Sequence, residues 1–122
     1  MQILGIGTDI IEIDRIARAV EQNPHFAERV FTKAELDYCM GKRSWHAHLA
    51  ARFAAKEAVA KAVGRALSWH DVEVVNGTDR KPVVRLSGEA RRAAEGCRVL
   101  VTVSHSRNYA TATAMVVKID DR

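Results

Sequence analysis

Three ionisable residues stand where the sequence otherwise clears space around them. Counting alternate residues from Ile3 puts Gly5, Gly7 and Asp9 on one side of a strand, with Leu4, Ile6, Thr8 and Ile10 on the other. Two glycines beside a carboxylate suit an anion or metal site, because glycine lets a ligand approach the backbone closely. The same residues also fit a β-bulge followed by Asp9 capping the next helix. Glu57 and Lys61 lie within Ala50–Gly64, where alanines surround them. At about 100° per residue they sit about 40° apart, on a face shared with Ala50 and Ala54. A plain i,i+4 ion pair, worth about 0.2–0.5 kcal/mol, fits this spacing, as does a carboxylate and amine aimed at a ligand. Arg52 and Lys56 form a second pair, with Arg52 nearly opposite Lys61 across the helix. Gly5-x-Gly7 has no third glycine and no Gly-Lys-Ser/Thr follows it, which excludes a dinucleotide fingerprint and a P-loop.

The elements that must position these groups follow from periodicity and punctuation. Gln2–Ile10 reads as a strand, and Ile13, Ile16, Ala17 and Val20 give the apolar stripe of a helix over Ile13–Gln22. The opposite face of that helix carries Arg15, Arg18, Ala19 and Gln22, which suits either solvent or an acidic partner helix. Pro24 ends it, and His25–Val30 supplies a short further turn. Thr32-Lys33-Ala34-Glu35 is a capping box for a helix from about Lys33 to Gly41. Lys42–His48 reads as a polar connection, whose His46 and His48 at i,i+2 make no zinc site. The Ala-rich helix is expected from about Ala47 to Val63, with Gly64 as its C-cap. Val72–Val75 and Val83–Leu86 flank a turn cluster and form a hairpin. Ser87 is placed to cap Gly88–Glu95, and Gly96 stops it. Arg98–Ser104 and Tyr109–Ile119 form a second hairpin, with Asp120–Arg122 as a frayed tail. The order β-α-α-α-β-β-α-β-β predicts an α+β fold, a mainly antiparallel sheet packed against the long Ala-rich helix. One domain over residues 1–122 is expected.

Composition limits the partners. The chain of 122 residues carries a formal charge of +4, so an acidic partner is favoured over a basic one. Cys39 and Cys97 lie far apart, outside any metal spacing, and read as reduced packing cysteines. Met1–Ile13 is interrupted by Asp9 and Glu12 and lacks a leader's features, and no stretch approaches a membrane span. A cytoplasmic protein without membrane contact is expected.

Taken together, the motifs resemble the holo-acyl-carrier-protein synthase type of 4′-phosphopantetheinyl transferase. They are Gly5-Ile6-Gly7-Thr8-Asp9-Ile10-Ile11-Glu12-Ile13-Asp14-Arg15-Ile16, Phe31-Thr32-Lys33-Ala34-Glu35-Leu36, and Arg52-Phe53-Ala54-Ala55-Lys56-Glu57-Ala58 through Lys61-Ala62-Val63-Gly64. Trp69-His70-Asp71-Val72-Glu73-Val74, Lys81-Pro82 and Val103-Ser104-His105-Ser106 follow in family order. The resemblance implies transfer of 4′-phosphopantetheine from coenzyme A to a serine of an acyl carrier protein, releasing adenosine 3′,5′-bisphosphate, in fatty-acid synthesis. It implies that Asp9 and Glu57 hold Mg²⁺, that Lys61 sits beside the diphosphate, and that His105 contacts the nucleotide. It assigns Arg15 and Gln22 to carrier docking, and Arg18 joins them as their neighbour on one helix face. It further implies a homotrimer with active sites between subunits. The placement of Arg52 across the helix from Lys61 fits that arrangement, with Arg52 and His105 serving the adenosine-phosphate end.

Two features depart from the family pattern. Only Arg65-Ala66-Leu67-Ser68 separates Gly64 from Trp69, where many relatives carry a longer Gly-rich loop, and Arg80 replaces a frequent glycine before Lys81-Pro82. Both touch the region expected near the nucleotide, including Pro82. A small basic nucleic-acid-binding domain is the rival of another class, but aromatics are only 6% and form no stacking platform, so no nucleic acid is expected. A metal-dependent hydrolase of nucleotides or coenzyme A would use the same Asp9 and Glu57, with water as nucleophile. A catalytically silent relative is the third alternative, and the intact Asp9, Glu57 and Lys61 weigh against it.

Overall fold

Strand β1 runs over Gln2–Glu12 and lies at one edge of a three-stranded antiparallel sheet, order β1-β5-β4, with β4 at Cys97–His105 and β5 at Tyr109–Lys118. The computed structural model describes residues 1–119, so the tail expected at Asp120–Arg122 lies outside the described residues. Across the sheet Gly5 faces Val116, Gly7 faces Ala114 and Asp9 faces Ala112, after a register shift between Ile3 and Gly5. Helix α4, Trp45–Val63, covers one face of this sheet. Ala50, Ala54, Ala55 and Ala58 on α4 are fully buried, as is Ala110 on β5, with Ala112 and Ala114 nearly so. Small residues on both surfaces bring helix and sheet close together.

The glycines of β1 make that approach possible. A Cβ on Gly5 would stand 1.9 Å from the Ala62 carbonyl oxygen, and one on Gly7 would stand 2.3 Å from that of Ala58. The space they clear is therefore filled by the α4 backbone, not left open for a ligand as the strand pattern suggested. Asp9 does not cap the next helix either. Helix α1, Ile13–Gln22, has Glu12 at its N-cap without a side-chain bond, and the Ile13 N–H donates to the Asn108 carbonyl at 2.9 Å.

The remaining elements are α2 (Pro24–Val30), α3 (Lys33–Met40), a 3₁₀ turn (Trp69–Asp71), β2 (Val72–Asn76), β3 (Pro82–Leu86) and α5 (Gly88–Ala93). Pro24 both ends α1 and opens α2 at its first position, where a missing N–H costs nothing, and Asn23 accepts from the His25 N–H. The capping box of Thr32 and Glu35 forms as expected. Three further expectations need correction. The α4 helix begins at Trp45, because the Ala47 and His48 N–H groups bond to the Ser44 carbonyl, so His46 and His48 are helical and not part of a loop. Ser87 sits at the N-cap of α5 but its hydroxyl turns to Asp71, 3.4 Å away. The β2–β3 hairpin also forms its own two-stranded sheet instead of joining the larger one.

The core divides along α4. One half gathers Ala54, Ala55, Ala58, Val59 and Ala62 against Val72, Val74 and the inner residues of β5. The other gathers Leu49, Ala50 and Ala51 with Ile13, Ile16, Val30, Phe31 and Cys39. Among the described residues, nothing covers the far face of the sheet. Ile6 is 65% exposed and Ile10 64%, and Leu4 and Leu100 are about half exposed beside them.

Candidate active site

Helix α4 crosses β1 so closely that side chains from the two elements meet at the seam. The Lys61 ammonium donates to the Thr8 carbonyl at 2.9 Å and to Asp9 Oδ1 at 3.2 Å. The Asp9 side chain is only 16% exposed, whereas that of Lys61 is 54% exposed. Lys61 thus reaches across to the strand instead of forming the plain i,i+4 pair with Glu57. Glu57 is half-buried one turn earlier on the same helix. Burial is the larger cause that raises its pKa and the Asp9 carboxylate adds to it, while Lys61 opposes both. Two carboxylates that repel one another across a water-accessible seam form a site that a cation relieves.

Glu57 divides two clefts. On one side a cleft of about 490 Å³ is lined by Asp9, Glu57 and Arg15, with Ile16, Phe26 and Phe53 as apolar walls. On the other side one of about 470 Å³ is lined by Glu57, Lys61, Gly64, Arg65, Leu67 and Trp69. Phe53 and Trp69 stack between them, with ring centroids 5.2 Å apart and planes at 27°. The αL conformation of Gly64, at φ 90°, turns the chain so sharply that Arg65 and Leu67 fold back over the second cleft.

The structure brings Asp9, Glu57, Lys61 and Arg15 together. Arg18 and Gln22 are exposed on the same helix as Arg15. Arg18 is already paired with Asp14 at 2.6 Å on its own helix. Arg52 and His105 are not at this seam. Arg52 is only 6% exposed, donates from Nη2 to Asn76 Oδ1 at 2.9 Å, and lies over the Tyr38 ring. Its Nε is buried without a hydrogen-bond partner among the described residues. His105 is exposed at the end of β4. Burial lowers the pKa of His48, and the charges of Arg52, Lys42 and His105 lower it further.

Several contributors escaped the sequence pattern. Phe26, Phe53, Arg65 and Trp69 line the clefts. Phe53 and Trp69 fall within family motifs and Arg65 within the short link after Gly64, but no spacing signal joins them. Lys56 is not half of a surface pair with Arg52, since it is buried and bonded to Glu35 at 2.8 Å. Among the described residues no group of three or more His, Cys, Asp or Glu side chains is placed to hold a metal. The two carboxylates that could hold a cation at this seam are Asp9 and Glu57. That set fits Mg²⁺, which keeps several waters and takes other oxygens from substrate phosphates.

Two carboxylates and a lysine at a helix–strand seam suit chemistry at phosphate groups. The sequence matches the 4′-phosphopantetheinyl transferase superfamily over residues 5–114. It is 46% identical over 118 residues to a holo-acyl-carrier-protein synthase of Chlamydia muridarum, covering 93% of this chain and 94% of that one. Against the synthase of Geobacter sulfurreducens it is 45% identical over 122 residues, covering 93% and 97%. Among solved structures, the holo-acyl-carrier-protein synthase from Bacillus anthracis in complex with coenzyme A (3′,5′-ADP) superposes with a TM-score of 0.83 at 34% identity, covering 98% of this chain and all of that one. A Plasmodium yoelii acyl carrier protein synthase with ADP bound gives 0.87 at 31% identity, with 98% of each covered. The chain belongs to the 4′-phosphopantetheinyl transferase superfamily.

Proposed function

We infer that this chain transfers 4′-phosphopantetheine from coenzyme A to the serine hydroxyl of an apo acyl carrier protein. Adenosine 3′,5′-bisphosphate leaves. The observation that carries this is the junction of Asp9, Glu57 and Lys61, set between a cleft with Arg15 at its edge and one with Lys61 and Arg65 on its walls. The serine oxygen bonds to the phosphorus that bears the pantetheine arm, and the bond from that phosphorus to the bridging oxygen breaks. Asp9 and Glu57 would hold Mg²⁺, which neutralises charge on the diphosphate when bound. Lys61, anchored at Thr8 and Asp9, stands ready to donate to a phosphate oxygen of the leaving nucleotide. Glu57, or a water held by the metal, would take the serine proton.

The acidic carrier docks on the α1 face, led by Arg15, with Gln22 and Arg18 beside it. The position of Arg15 in the wall of the first cleft, next to both carboxylates, supports this order. The uncovered apolar face of the main sheet supports a homotrimer, since exposed patches of this kind mark assembly surfaces. Arg52 and His105, remote from Lys61, then serve the adenosine-phosphate end of a neighbouring protomer's site. Among the described residues no helix is long and apolar enough to cross a membrane.

The test is to incubate the protein with coenzyme A, Mg²⁺ and apo carrier, and to weigh the carrier by mass spectrometry. Gain of one phosphopantetheine, abolished by chelation, is expected. Breakdown of coenzyme A with an unmodified carrier would favour hydrolysis instead, and light scattering that finds only monomers in active enzyme would remove the trimer.

A further inference from the structure

Directly beside Glu57 in the sequence, Lys56 points the other way, into the interior. Its side chain is 1% exposed and that of its partner Glu35 is 0% exposed. The ammonium has three donors, and all three are used. One goes to Glu35 Oε1 at 2.8 Å, one to the Trp69 carbonyl at 2.8 Å and one to the Val72 carbonyl at 2.6 Å. Glu35 is equally committed. Its Oε1 also accepts from the Thr32 N–H, and its Oε2 accepts from the Val74 N–H, each at 2.8 Å. The pair therefore ties together the start of α3, the middle of α4, the 3₁₀ turn and β2.

Stability alone is a poor account of such a pair. Removing two charges from water costs several kcal/mol each, and an apolar pair of similar size often does as well or better. What an apolar pair cannot do is hold two carbonyls at a fixed place. Both carbonyls here bracket the three-residue turn that begins with Trp69. Trp69 walls the cleft of Glu57 and Lys61, and it stacks on Phe53, which walls the cleft of Asp9 and Arg15. One turn of α4 thus delivers Glu57 to the site and, from the next residue, fixes the partition beside it.

We propose that Glu35 and Lys56 are positioning residues that set the Trp69–Phe53 partition against Glu57, and through it the fit of coenzyme A in the second cleft. This rests on coenzyme A occupying the cleft of Glu57 and Lys61. The carrier side is built on α1, to which neither Glu35 nor Lys56 is bonded.

The test uses a Trp45→Phe background, which leaves Trp69 as the single tryptophan, since the chain holds two. Lys56→Met is compared with its parent by Trp69 emission and acrylamide quenching without substrate, and by KM for coenzyme A and for the carrier. The expected result is a red-shifted, more easily quenched Trp69. KM for coenzyme A should rise on the order of tenfold, the usual cost of losing a supporting partner, with KM for the carrier unchanged. Should Lys56→Met fail to fold, the charge-free double variant Glu35→Leu/Lys56→Met carries the same measurements. Unmoved Trp69 emission would overturn the positioning role. A displaced Trp69 with an unchanged coenzyme A KM would instead overturn the placement of coenzyme A beside it. Equal losses toward both substrates with a lowered melting temperature would reduce the pair to a merely structural role and refute the proposal.

Discussion

Gly7→Ala probes the contact on which the site depends. The added Cβ would stand 2.3 Å from the Ala58 carbonyl oxygen and 2.7 Å from both the Ala62 nitrogen and the Lys61 Cβ. Ordinary contact begins near 3.4 Å, so α4 must retreat by about 1 Å, and backbone atoms offer no flexible tip to yield instead. Overpacking of this kind costs about 1–3 kcal/mol. For a chain of this size that lowers the melting temperature by about 4 °C per kcal/mol. The displaced turn is the one that carries Glu57 and Lys61, and a misplacement of about 1 Å costs on the order of a hundredfold in rate. Thermal unfolding and the rate of carrier mass gain measure the two effects. Gly96→Ala is the control. Gly96 also has a demanding backbone, at φ 77°, but nothing lies within 4 Å of the added Cβ. It should lose about 1 kcal/mol of stability and no turnover. Wild-type turnover and melting in Gly7→Ala, or an equal loss of turnover in Gly96→Ala, would refute the close-contact reasoning.

Other outcomes follow from the same geometry. In the metal-free protein the raised Glu57 pKa means that its stabilising protonation is complete below the ordinary carboxylate range and is lost as pH rises through the raised value. Glu57→Gln should therefore melt higher than wild type at neutral pH, with the difference vanishing below about pH 4, the usual glutamate range; a lower melting point at pH 7 would contradict the electrostatics. Arg15→Glu should raise KM for the carrier about tenfold and weaken its salt dependence, with coenzyme A unaffected; equal changes for both would remove the docking face. Burial pushes the Cys39 thiol up to about 11, and Glu35 adds to this while Arg52 and Lys42 oppose it. A thiol reagent at pH 8 should label Cys97 alone in the native protein and both cysteines after unfolding, as peptide mapping would report.

The placement of Asp9, Glu57 and Lys61 is legible in short patterns that local periodicity resolves, whereas their roles are expected from the family resemblance alone. The alternation of β1 places Asp9 on the side of Gly5 and Gly7, and the four-residue step on α4 aligns Glu57 with Lys61. What those glycines do was not legible. Clearing space for a ligand and clearing it for a helix backbone leave the same residues, and only the crossing of α4 over β1 decides. Lys61 finds Asp9 from 52 residues away, a distance no spacing rule spans. Arg52 and Lys56 are a pair by spacing alone, and spacing does not tell that both are buried, although alanines on every side are what a helix buried on most of its circumference requires. The β2–β3 hairpin was plain from its turn residues. Its separation from the main sheet was not, because hairpin signals carry no information on which strands lie side by side.

The claim that Asp9 and Glu57 act as one unit at the coenzyme A diphosphate is tested most directly by a double-mutant cycle. The rate of phosphopantetheine transfer to apo carrier is measured by mass for wild type, Asp9→Asn, Glu57→Gln and the double variant, at saturating Mg²⁺. Each single change should cost about 10²–10³-fold, and the double should cost little more than the worse single, as groups that share one task do. Losses that multiply across the two positions, or wild-type transfer in either single variant, would contradict it.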